Sequence, residues 1–117
     1  MTAPHDPPSA AELVVAVREF LERDVMQATD GRVRFHVRVA VNVLGMVERE
    51  LNVGAAQEGA HRQRLAELGV ADDEELVAAI REGRFDADPS PLLEALGEAV
   101  AAKLAVANPS YAQRAEP

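Results

Sequence analysis

Between Arg32 and Val43 the chain alternates polar and apolar residues almost without error, with Val33, Phe35, Val37, Val39, Val41 and Val43 on one side. Taken by itself this is the pattern of a half-buried strand, and β-branched valines favour it. The alternation fails at Leu44, Gly45, Met46 and Val47, whereas a helical period continues to Leu51. No second segment reads as a strand, so a lone strand would leave its backbone groups unpaired. A helix over about residues 32–52 satisfies its own backbone and, at ~1.5 Å per residue, spans roughly 30 Å. On it, Arg34, Arg38, Asn42, Gly45, Arg49 and Asn52 share one narrow stripe in an otherwise apolar circumference, as in a central helix. The strand remains the alternative for residues 32–43.

The flanks carry helix punctuation. Residues 1–8 hold three prolines and read as an extended arm. Ser9 and Glu12 form a capping box, and Leu13, Val14, Val17, Phe20 and Leu21 follow at helical spacing to about Arg23 or Met26. Asp30-Gly31 marks a turn. A third helix spans 54–68 and ends at Gly69. Asp72, with Glu75 as its partner, opens a fourth that Gly83 closes. The last begins with Ser90 as cap and Pro91 in the first turn, and stops at Asn108-Pro109. The expectation is an all-α, single-domain bundle of about five helices over 9–109 around the long central helix, with a flexible tail over 110–117.

Charge narrows the function classes. The formal net charge is −8, yet residues 32–52 carry four arginines against Glu48 and Glu50. An acidic chain is a poor ligand for nucleic acid or anionic membranes, both of which require a basic surface. Neither is expected as a partner. With no cysteine, thiol catalysis and thiolate metal sites are excluded. The start MTAPHDPPSAAE has neither the basic nor the apolar part of a signal peptide, which points to the cytoplasm.

Catalytic signatures are missing. None of His5, His36 and His61 has a histidine or carboxylate at i+3 or i+4, and no metal site is expected. Glu48 and Glu50 point apart on a helix, and no phosphate loop or serine elbow is present. The expectation is a non-enzyme without metal or cofactor. His36 on the apolar side reads first as a semi-buried histidine, and only distantly as a base. The arginine stripe reads either as a solvated, ion-paired face or as a contact for carboxylate or phosphate, which arginine's planar fork suits. Asn108 and Tyr111 read as a helix stop and a folded-back tail, or as a docking feature.

Four segments together carry a resemblance. They are P-H-D-P-P-S-A-A-E-L (4–13), V-x-E-F-L (17–21), F-H-x-R-V-A-x-N-V-L (35–44) with V-E-R-E-L (47–51), and K-L-A-V-A-N-P-S-Y (103–111). The chain resembles a family of small bacterial proteins, long classed as a domain of unknown function. Its members tend to be encoded beside an aminoglycoside-phosphotransferase-like kinase and an acyl-CoA-dehydrogenase-like enzyme. The resemblance implies a companion that the kinase needs in order to phosphorylate a 4-hydroxyacyl-CoA. It assigns no catalytic residues. Contact candidates are Arg34, His36, Arg38, Asn42, Arg49, Glu50, Asn108 and Tyr111. The rival expectation is a free-standing homodimeric helical domain that binds an acidic small ligand such as an acyl-CoA.

Overall fold

The computed structural model describes residues 6–111; residues 1–5 of the expected arm and 112–117 of the expected tail lie outside the described part. The described residues fold as helices without a strand: α1 (Ala10–Phe20), a π-helical turn (Leu21–Val25), α2 (Gly31–Glu67), α3 (Asp73–Arg81) and α4 (Ser90–Ala107). Residues 32–43 are helical, which removes the strand alternative. The chain divides into two compact units, Met1–Val53 and Gly54–Pro117, and α2 contributes residues to both.

In the first unit α1 starts at the expected capping box. Ser9 Oγ accepts the Glu12 N–H at 3.2 Å, and Glu12 Oε1 accepts the Ser9 N–H at 3.3 Å. Val14, Arg18 and Leu21 recur at helical spacing and are half-buried. The matching line on α2 is Val37, which is buried, followed by the half-buried Val41, Leu44 and Glu48. Across the pair, Arg18 Nε donates to Glu48 Oε2 at 2.9 Å. The rest of this part of α2 is more open than a central helix would be. Winding a two-residue alternation at 3.6 residues per turn distributes valines around the circumference, and α1 covers only one line of them.

In the second unit the expected break at Val53-Gly54 is absent, so the helices read at 32–52 and 54–68 are one. Gly54 keeps a negative φ; among the described residues the glycines with positive φ are Gly31, Gly69 and Gly83. An interior glycine costs about 1 kcal/mol against alanine but leaves the hydrogen-bond ladder whole. Gly69 (φ 79°) and Gly83 (φ 80°) follow the ends of α2 and α3, as the sequence indicates. Leu65, Val70, Leu76, Ala79 and Leu92 form the core, with Leu68 and Phe85 packed against it. Gln57 Nε2 donates to the Ala102 carbonyl at 2.8 Å and ties α2 to α4.

Two starts differ in detail from the sequence reading. Asp72 Oδ1 accepts the Glu75 N–H at 2.8 Å, while the Glu75 carboxylate reaches the Ala71 N–H at 2.7 Å. Ser90 does not cap α4. Pro89 already has helical angles, and Asp88 Oδ1 accepts the Ser90 N–H at 3.3 Å. The acceptor therefore sits two residues earlier than expected.

Gly59 in α2 and Gly97 in α4 would each meet nothing within 4 Å of an added Cβ. Gly59→Ala and Gly97→Ala should each raise stability by about 0.5–1 kcal/mol, chiefly by restricting the unfolded chain. Urea denaturation would show the gain as a higher midpoint at unchanged slope.

Candidate interaction surface

The residues expected to act fall on two lines of α2 and one helix end. Arg34, Arg38 and Asn42 are exposed at four-residue spacing along one line of the first unit. Among the described residues, the Arg34 and Arg38 guanidinium groups take part in no ion pair. Arg49 continues the line but is half-buried and folded back. Its Nη1 would lie 3.3 Å from a Cβ built on Gly45, so the small residue makes room for the guanidinium.

His36 is exposed rather than semi-buried. Its ring meets Phe35 edge-on at 5.5 Å, and among the described residues no carbonyl or carboxylate holds it. Glu50 lies five helical turns from Arg32, and both are exposed. Between them the same side of α2 carries Phe35, Val39, Val43, Met46 and Val47, from 36% to 59% exposed. Reading the sequence took this side of the helix, its second apolar face, as covered and missed its exposure. The signal was the alternation itself, which cannot turn all its valines toward one neighbour once wound as a helix.

Arg18 was missed as well. Its guanidinium bridges Glu48 at 2.9 Å and Glu22 at 3.2 Å, with the Arg18 and Glu48 side chains each about a quarter exposed. The hydrogen bond to Glu48 is the main cause that holds the Arg18 pKa above its ordinary value. Arginine is already charged at every pH the fold meets, so the pair provides a fixed link rather than a switch.

The second unit holds the remaining candidates. Asn108 ends α4 with non-helical backbone angles (φ −157°, ψ 76°), and its Oδ1 accepts the Tyr111 N–H at 3.1 Å. It thus stops one helix and caps the turn at residues 109–111, from which the Tyr111 ring projects, half exposed. His61, not expected to act, takes Asp73 at 2.8 Å through Nε2 and Arg64 at 3.2 Å through Nδ1. A cavity of about 150 Å³ lies beside Arg64, lined also by Glu67, Leu68, Pro91, Glu94, Ala95 and Glu98. It is smaller than the roughly 300–1,000 Å³ usual for ligand sites, and its three carboxylates would repel the phosphates of a CoA. Among the described residues no group of His, Asp and Glu is placed to hold a metal ion, and no helix is long and apolar enough to cross a membrane.

What the arrangement offers is therefore surface: a basic line and an apolar face on one helix, in a protein of net charge −8. The chain belongs to the family described as a domain of unknown function (DUF6285), whose profile matches residues 27–111. That span takes in α2, α3, α4 and Tyr111 and leaves α1, with the 4–13 and 17–21 segments, outside it. No curated protein and no solved structure matches the chain.

Proposed function

We propose that the protein is a non-catalytic, cytoplasmic accessory subunit of a phosphotransferase-like kinase acting on hydroxyacyl-CoA. The resemblance of its four segments to companions of such kinases supplies the partner. The observation that carries the contact is the pair Arg34 and Arg38, exposed and without ion pairs among the described residues. Arginines left in water on an acidic protein suit acidic groups brought by a partner, or CoA phosphates held at its edge. Asn42 extends the same line with an amide, and Arg49 borders it. Burying two such cations against carboxylates would favour one orientation of docking as well as speed the encounter.

The test follows ADP release from ATP and a 4-hydroxyacyl-CoA, using the phosphotransferase-like kinase encoded nearest this gene. Turnover is expected only when both proteins are present. Arg34→Glu combined with Arg38→Glu should weaken the complex at least tenfold, about 1.4 kcal/mol, without loss of helicity. A kinase fully active alone would overturn the accessory role. Unchanged binding by the doubly reversed variant would remove the arginines from the contact.

A further inference from the structure

The second apolar face of α2 has a property that the arginine line lacks: it is complementary to itself. Arg32 and Glu50 are eighteen residues apart, five whole turns, so they stand at the two ends of the same line. Neither takes part in an ion pair among the described residues. Midway lies Val41, which itself turns toward α1. Turning a second α2 end for end about that midpoint sets Arg32 against the partner's Glu50, and Glu50 against the partner's Arg32. The same rotation brings Phe35 to the partner's Met46 and Val39 to the partner's Val43. Each pair lies at nearly the same angle around the helix, as a two-fold axis across an antiparallel helix pair requires.

From this we infer that α2 is the dimerisation helix, and that its occupant is a second copy of this chain in antiparallel register about Val41. Phe35 (59% exposed), Val43 (50%), Val39 (43%), Met46 (37%) and Val47 (36%) leave apolar surface open to water. Together they expose on the order of 400 Å² per copy, already the size of the functional patches found on monomers. With Arg32, His36 and Glu50 at its margins, the face of two copies reaches the roughly 1,000 Å² that a specific interface needs. The parallel alternative would set Arg32 against Arg32 and Glu50 against Glu50, so charge selects the antiparallel form. The dimer leaves Arg34 and Arg38 on a different line of α2, so it does not depend on the kinase reading.

Sedimentation equilibrium of the full chain should give twice the monomer mass. Val39→Glu, which places a carboxylate opposite the partner's Val43, should return the monomer mass with unchanged far-UV circular dichroism. The chain has no cysteine, so single-cysteine variants report register cleanly. A mixture of Arg32→Cys and Glu50→Cys proteins should form a disulfide-linked dimer under mild oxidation, while neither variant links to itself across about 27 Å. This second arm decides the matter if Val39→Glu loses helicity. A monomer at all concentrations, a dimer indifferent to Val39→Glu, self-linking of Arg32→Cys, or no link in the mixture would each overturn the proposal.

Discussion

Leu65→Ala is expected to lower stability by about 2–5 kcal/mol, a large part of what a domain of this size possesses. Leu65 is 4% exposed and brings α2 into the cluster of Val70, Leu76, Ala79 and Leu92. The first unit has a single buried apolar residue among those described, Val37, so the second holds the denser core. Truncating Leu65 removes its transfer energy and leaves a cavity that helices on either side close only in part. Leu13→Ala makes the contrast, because Leu13 is 53% exposed and should cost less than about 0.5 kcal/mol. Urea denaturation of the two variants beside the parent would measure both. Equal losses would mean that the second unit lacks the packed core described above.

The link between α1 and α2 gives the other large effect. In a double-mutant cycle of Arg18→Ala and Glu48→Ala, the coupling energy should come to about 1 kcal/mol. Exposed ion pairs usually give less. This one gains from its partial burial and from the direct Nε–Oε2 hydrogen bond at 2.9 Å. Arg18 also bonds Glu22 in the π-helical turn that follows α1, so Glu48→Ala alone leaves the cation partly compensated and should be the milder single change. A coupling indistinguishable from zero would show that the pair is held in place by its neighbours and adds nothing of its own.

These two sites differ in how far the sequence discloses them. Helix ends are written locally. The box at Ser9 and Glu12, the cap at Asp72 and the positive-φ glycines at 69 and 83 are all visible as short motifs, because each depends on residues within four positions. The separation of helices at 32–52 and 54–68 failed for the same reason: Gly54 would end a helix only if the chain took φ above zero there, and nothing within four residues requires it. The arginine line at 34, 38 and 42 is legible from spacing alone. The Arg18–Glu48 and His61–Asp73 pairs are not, since they depend on how one helix is set against the next. Exposure was the hardest property to foresee. An apolar helix is ordinarily covered, and only the placement of α1 shows how little of α2 its own unit covers.

The π-helical turn at Leu21–Val25, closed by the Met26 N–H donating to the Leu21 carbonyl at 2.8 Å, has a bearing on changes of chain length. A wide turn of this kind holds one residue more than an ordinary helix needs over the same rise. Elsewhere in a helix, losing one residue rotates everything beyond it by about 100° and carries the buried line to the surface. Here the loss would convert the wide turn into a regular one and leave Val25 and Met26 facing as they do now. Of all the helical positions in the first unit, this turn is the one where a single-residue deletion is absorbed by the backbone itself.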